Sequence, residues 1–308
     1  MFDTVNFWIG RVELSGASPF DTQRYLSPDI TERQNKNGYS CTGNVGDYTV
    51  NIAENGISLK GSLAKNYFGD NLHTLTRRDT KQAIEELSDR LHLDLGTAKV
   101  TRLDVSTVIP TKRPPADYYS HLGNKPYFER LQSTSDTLYY NNHQRQIIFY
   151  DKTKEAATKD VQIPDILQNS NLLRYELRYT KRLNRQLNAV LTAAKLYDVD
   201  FYRSVIKSWH TEFKTIQKLK NQSFMIDNIK TTGEAEKALF TALLQEKGQS
   251  VIDEFLAELK AKNVFKDPPR YSELKKKLNT ILQAPKGEQS DLMQELETAI
   301  FDIARYAR

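Results

Sequence analysis

Leu173-Arg174-Tyr175-Glu176-Leu177-Arg178-Tyr179 decides how this chain is read. Successive side chains of a β-strand point to opposite faces. Arg174, Glu176 and Arg178 therefore share one face, and Leu173, Tyr175, Leu177 and Tyr179 share the other. Two further stretches behave alike. In Val100-Thr-Arg102-Leu-Asp104-Val-Ser106, Arg102 and Asp104 oppose Leu103 and Val105. In Gln146-Ile-Ile148-Phe-Tyr150-Asp-Lys152, Tyr150 and Lys152 share a face. Each stretch is apolar enough to lie inside a sheet, yet each carries ionisable groups in mid-strand. Two accounts stand. One is a half-exposed antiparallel sheet with a solvated front, where each cross-strand Arg–Asp or Arg–Glu pair contributes roughly 0.2–1 kcal/mol. The other is an active-site floor. There, two carboxylates on neighbouring strands hold a hard divalent cation through oxygen ligands, and a tyrosine and a lysine complete a phosphoryl-transfer site.

The surrounding pattern supplies the fold. Tyr48–Ile52 and Ile57–Leu59 alternate on either side of Asn55-Gly56, a strong hairpin signal. A helix follows, with Asp79 and Gln82 placed as a capping box and Ala83, Ile84, Leu87 and Leu91 on one face. Strands are expected at Ala98–Ile109, Gln144–Lys152 and Leu172–Tyr179, with Pro110, Pro114 and Pro115 ending the first and leading into a short helix. Lys154–Gln168 reads as polar helix or loop. Beyond residue 180 the periodicity turns helical: Leu187, Val190, Leu191 and Ala194; then Val251, Phe255 and Leu259; then Leu292, Leu296, Ile300 and Ile303. Strands first and helices afterwards predict an α+β protein with a central antiparallel sheet and flanking helices over residues 1–185. A helical C-terminal domain is expected over 186–308.

Composition bounds the function. A chain of 308 residues with 39% hydrophobic and 27% charged residues buries an ordinary core, which excludes collagen-like, low-complexity and wholly disordered classes. A single cysteine, Cys41, excludes a disulfide framework and a cysteine zinc site. No apolar run approaches the roughly 18–20 residues of a membrane span, and the N-terminal stretch has no secretory pattern, so no membrane partner and a cytoplasmic setting are expected. The net charge of +5 lies entirely in the last two fifths: residues 181–308 carry 22 Lys and Arg against 17 Asp and Glu, and the totals of 44 and 39 leave 22 of each for residues 1–180. That excess points weakly to polyanions. There is no G-x-x-x-x-G-K-[ST], so no ATPase or helicase is expected.

Arg102-Leu-Asp104, Tyr150-Asp-Lys152 and Arg174-Tyr-Glu176, in that order on three strands, resemble the rolling-circle replication initiators of filamentous phages (gene II/X type) and the related plasmid Rep_trans initiators. The resemblance runs from about Gly38 to Lys181 and includes Ala64-Lys65 and the Asn66–Asn71 stretch. It implies an HUH-like nuclease fold, but without the His-hydrophobic-His pair. The five histidines, His73, His92, His121, His143 and His210, contain no such pair, so only a carboxylate version of the site is available.

The resemblance further implies roles. Tyr150 aligns with the nucleophilic tyrosine and Lys152 with the lysine of the same motif. Asp104 and Glu176 align with the acidic residues that flank the site and bind Mg²⁺ or Mn²⁺. Arg102 and Arg174 become phosphate or structural partners. Apart from the resemblance, Arg178, Tyr139, Tyr140 and Arg145 are further candidates for DNA contact, with cross-strand aromatic packing as the other reading of Tyr139-Tyr140 and an exposed polar turn as that of Arg145. The implied reaction is nicking of origin DNA, giving a 5′-phosphotyrosine and a free 3′-hydroxyl, followed by strand rejoining. Lys152 is expected to favour the phenolate of Tyr150 by its charge. Origin DNA, single-stranded or as a hairpin with flanking duplex, is the expected partner, with a host helicase as a further candidate and the oligomeric state, a dimer included, left open. A relaxase of a mobile element with the same chemistry, a non-catalytic DNA-binding protein on this scaffold and a helical partner-binding protein are the competing readings. Trp8 and Trp209 read as core or interface anchors, and Lys275-Lys276-Lys277 as a solvated helix face.

Overall fold

The structure, a computed structural model, describes every residue except 15, 37, 135, 220–228, 283–290 and 308. In chain order the strands and helices are β1 (Phe2–Gly10), β2 (Thr31–Asn35), β3 (Gly38–Val45), β4 (Tyr48–Ala53), β5 (Gly56–Gly61), α1 (Leu63–Phe68), α2 (Arg77–Leu91), β6 (Lys99–Thr111), α3 (Pro115–Tyr119), β7 (Glu129–Thr134), β8 (Thr137–Asn141), β9 (Arg145–Asp151), α4 (Lys152–Thr158), β10 (Asn171–Tyr179), α5 (Leu183–Gln186), α6 (Val199–Lys214), α7 (Thr232–Lys247), α8 (Gln249–Ala261), α9 (Pro269–Leu282) and α10 (Asp291–Tyr306). Short 3₁₀ turns lie between several of them.

All the strands join one sheet in the order β2-β3-β4-β5-β1-β6-β10-β9-β8-β7, every neighbouring pair antiparallel. The expected α+β architecture is present. Ala53 pairs with Gly56 across the Asn55-Gly56 turn. Gly56 sits at φ +151, and a Cβ there would lie 2.2 Å from the carbonyl oxygen of Ile9, so only glycine fits. The core face of β6, β9 and β10 is closed by α6. Tyr175 of β10 stacks on Phe149 of β9 at 4.8 Å and 7° and lies 4.6 Å from Trp209 of α6, to whose carbonyl its hydroxyl donates at 2.8 Å. Such ring pairs contribute about 0.5–1.5 kcal/mol each beyond area burial. On α2, Ala83, Ile84, Leu87 and Leu91 are buried as the periodicity predicts.

Several boundaries differ from expectation. The N-cap of α2 is Thr76, whose capping-box partner Asp79 is at N3 rather than at the cap. β6 continues through Pro110 to Thr111. β9 stops at Asp151, whose side chain accepts the amide of Lys154 and caps α4. Lys152 is therefore the first residue of a helix, not the last of a strand. The apolar spacing at 187–194 makes no long helix: α5 ends at Gln186, and Leu191 and Ala193 instead pair their backbones with Val100 and Ala98 beside β6.

The chain divides into two compact units, Met1–Gln217 with Glu295–Arg308, and Lys218–Gln294. The expectation placed the division at 185. Helix α6 belongs to the sheet unit because Trp209 and Phe213 pack on Tyr175 and Phe149. From Glu295 onward α10 belongs to the same unit, and Glu295 accepts the hydroxyl of Tyr118 at 3.0 Å and the amide of Lys112 at 2.9 Å. The second unit contains α7, α8 and α9 around Leu244, Ile252, Leu256 and Leu278. Phe255, expected on its buried stripe, is 49% exposed, and Lys275, Lys276 and Lys277 are exposed as expected.

Candidate functional site

The registers define a charged face. Arg178 of β10 sits opposite Asp104 of β6 and Gln146 of β9; Glu176 sits opposite Ser106 and Ile148; Arg174 sits opposite Val108 and Tyr150. An open cleft of ≈ 340 Å³ lies on this face, lined by Asp3, Thr4, Asp47, Ser62, Lys65, Asn71, Tyr150, Glu155, Lys159, Glu176 and Arg178. A β-bulge creates one wall: β1 and β6 shift register between Phe2 and Val5, and both Asp3 and Thr4 reach the cleft. Bulges re-aim side chains in this way.

Most of the face is knit together by arginines. Arg174, only 2% exposed, donates to Asp3 Oδ2 at 2.5 Å, to Ser106 Oγ at 2.6 Å and to the carbonyl of Asn71 at 2.5 Å. Glu176 Oε2 lies 3.8 Å from its Nε. Arg178 joins Glu176 at 2.7 Å and Asp104 at 3.2 Å and also donates to Gln146 at 3.0 Å. Arg102 grips both oxygens of Asp104, at 3.0 and 2.5 Å. Asp104 itself is 1% exposed. Burial pushes its carboxyl up, reinforced by the charge of Glu176 and opposed by Arg102 and Arg178. Asp3 stays below the ordinary carboxylate range: burial pushes it up, but Arg174, Ser62, Lys152 and Asn71 outweigh that.

Tyr150 and Glu176 share the cleft. They are diagonal neighbours on adjacent strands, a relation that sets Cβ atoms about 7–8 Å apart. Tyr150 is half-buried, and its hydroxyl makes no hydrogen bond among the described residues. Burial raises its pKa further above 10, and Arg174 directly opposite is the main charge that lowers it. Asp104 lies two strands away and four residues along, about 16 Å from Tyr150 at ~4.8 Å per strand and ~3.3 Å per residue. The expectation of one pocket holding Tyr150, Asp104 and Glu176 is corrected on that point: only Glu176 accompanies the tyrosine.

Other expectations are corrected too. Lys152 is 2% exposed and is held by Asn71 Oδ1 at 2.7 Å and by Glu155. Its ammonium is thus committed to the wall of the site, and the cation directly opposite Tyr150 is Arg174. Tyr140 points to the core face, fully buried, and donates to the carbonyls of Leu122 and Gly123 at 3.1 and 2.8 Å. Arg145 also lies on that face, paired with Glu212 of α6 and 5.8 Å from the ring of Phe128. Neither Tyr140 nor Arg145 reaches the cleft face. Tyr139, one residue before Tyr140, is half-buried on the cleft side, opposite Ile148. Arg102 and Arg178 keep about a third of their side-chain surface, 31% and 28%.

A divalent cation is implied by the resemblance, and the donor set decides whether one fits. Asp104 and Glu176 do not fit: the guanidinium of Arg178 stands between them, and Arg102 holds both oxygens of Asp104. Glu155 is likewise engaged by Lys152 and Lys159. Among the described residues, no three His, Cys, Asp or Glu side chains are grouped to hold a metal. Asp3 and Glu155 were missed by sequence reasoning. Asp3 lies in a strand whose alternation, Val5, Phe7 and Ile9 against Thr4, Asn6 and Trp8, assigns the odd positions to the core face, so the period alone points Asp3 away from the cleft. Asn71 falls in the Asn66–Asn71 stretch that the resemblance had picked out.

The sheet thus has one aromatic-packed face and one polar cleft, where Tyr150 stands among both carboxylates and cations. Residues 1–212 match the family of phage replication-associated proteins of the gene II type, over that family's N-terminal region, and the chain belongs to it. No curated protein matches the chain. No helix among the described residues is long and apolar enough to cross a membrane.

Proposed function

We propose that this protein initiates rolling-circle replication by nicking origin DNA with Tyr150. The observation that carries the reading is the position of Tyr150: a half-buried phenol with an uncommitted hydroxyl, in a polar cleft beside Glu176, Arg178 and Lys65, in a chain of a replication-associated family. Lys65 makes no ion pair among the described residues and is free to meet a phosphate. Arg178, anchored by two carboxylates, presents a fixed guanidinium to the same space.

In this reaction the Tyr150 oxygen attacks phosphorus as the bond to the 3′ oxygen breaks, and the phenolic proton passes through solvent to that oxygen, which leaves as a hydroxyl. The bond energy is retained in the phosphotyrosine, so rejoining needs no nucleotide. Arg174 lowers the cost of the developing phenolate from the adjacent strand. The exposed lysines of α9, in the second unit, are proposed to add duplex or helicase contacts.

The test is incubation of the full chain with supercoiled DNA carrying the origin, with Mn²⁺ and again with EDTA. Nicked circles bearing protein on a 5′ end are expected from the wild type. Tyr150→Phe is expected to bind the same DNA and yield no nicked product. Nicking by that variant overturns the assignment, and a nick beside a transfer origin instead makes the protein a relaxase.

A further inference from the structure

Trp8 lies on the same polar face as the cleft. Asn6 pairs directly with Arg102, Trp8 follows two residues later, and its neighbours across the sheet are Ser58 on β5 and Lys99 on β6. An indole on the polar face of a sheet is unusual, because that payload is worth most when fully buried. This one is half-buried, with an indole N–H that makes no hydrogen bond among the described residues. Its ring rests over Gly56, where a Cβ would come within 2.8 Å of Cζ2. The absence of a side chain at Gly56 lets the indole lie there.

The surroundings are cationic. Lys60 and Lys99 are exposed and make no ion pair among the described residues, and Arg102 keeps a third of its side chain accessible. The carboxylate of Asp104 is locked under Arg102 and Arg178. Glu13 lies over Gly10 at the far end of β1, and at the cleft end Asp3 is paired with Arg174. The outward residues of β1 run from Thr4 in the cleft through Asn6 to Trp8, about 13 Å at ~3.3 Å per residue.

We infer that Trp8 is a base-stacking platform, and that Lys60, Lys99 and Arg102 hold the phosphates of a single DNA strand leading into the Tyr150 cleft. Cationic side chains tracking a backbone, with an aromatic ring that any base can stack on, are what sequence-tolerant single-strand binding requires. This inference rests on the proposal that the cleft takes DNA.

The chain has two tryptophans, and Trp209 is fully buried in the core. Quenching of tryptophan emission by a bound base therefore reports Trp8 without any mutation. The full chain is titrated with an oligo(dT) of about ten nucleotides, within the usual site sizes. Saturable quenching is expected, and Trp8→Ala is expected to weaken binding roughly tenfold while Trp8→Phe stays within about threefold, since stacking survives in phenylalanine. Thermal unfolding of both variants checks that they are folded, and the wild-type quench decides if the alanine variant is not. Binding without quenching, or equal binding by a folded Trp8→Ala, overturns this inference and leaves the nicking proposal standing. Failure of the wild type to bind any single strand overturns both.

Discussion

The two faces of β10 are separated by one residue of register and by opposite means of burial. On one, Tyr175 is enclosed by Phe149, Trp209 and Phe213, and the attraction is hydrophobic and aromatic. On the other, Arg174 and Glu176 are buried just as deeply, at 2% and 4% exposure, among charges. Asp3, Ser106 and Asn71 supply partners to Arg174, and Arg178 supplies one to Glu176. Desolvating an unpaired ion costs several kcal/mol, so such a face persists only while each charge keeps its partner. The core face loses packing in proportion to the atoms removed. The cleft face loses more than one contact when a member is removed, because the partner left behind is a buried ion.

The largest expected effect breaks that balance. Arg174→Met leaves Asp3 buried without its cation and is expected to cost about 3–5 kcal/mol in urea unfolding. A loss below about 1 kcal/mol would mean that these pairs behave as exposed surface bridges, and the contrast between the faces would dissolve into the solvated-front reading.

A sharper comparison uses the adjacent pair Tyr139 and Tyr140. Tyr140→Phe strips the donor from two buried carbonyls and is expected to cost about 1–3 kcal/mol of stability while single-strand affinity is unchanged. Tyr139→Ala is expected to do the reverse: a change in stability within about 1 kcal/mol, and affinity for oligo(dT) reduced several-fold, as one stacked base is worth ~1–3 kcal/mol. Chemical denaturation and fluorescence titration on the same samples read both. Equal effects on affinity would show that side-chain direction in β8 does not govern DNA contact.

The alternation in β6, β9 and β10 was legible because period-two patterning fixes faces without tertiary information. It placed Arg102, Asp104, Arg174, Glu176, Arg178 and Tyr150 on one surface. It did not give distance along the strands. Asp104 and Tyr150 share a face yet stand two strands and four residues apart, and only the pairing register reveals it. Lys152 was misread because Asp151 serves both as the end of β9 and as the cap of α4, so the period changes within one residue. The parity rule, applied to Tyr139 and Tyr140 or to Arg145, separates cleft from core on sequence alone. Asp3 was illegible for a different reason: a bulge in β1 turns it toward Arg174, and bulges leave no period-two signature.

The smallest expected effect is a change of slope. Asp3 is held below the ordinary carboxylate range although burial alone pushes it up, because Arg174, Ser62, Lys152 and Asn71 favour the charged form. Its folded pKa is therefore lower than its unfolded value of about 4. As pH falls, the unfolded chain takes up the proton first. The stability from ionised Asp3 is complete above about pH 4 and disappears as pH falls through the folded value. Asp3→Asn is thus expected to lower the urea midpoint at neutral pH and to flatten the acid limb of the midpoint–pH curve relative to wild type. Parallel curves for the two proteins, offset but equal in slope below about pH 4, would show that Asp3 is not ionised against Arg174. The cleft wall at the β1 bulge would then rest on hydrogen bonding alone.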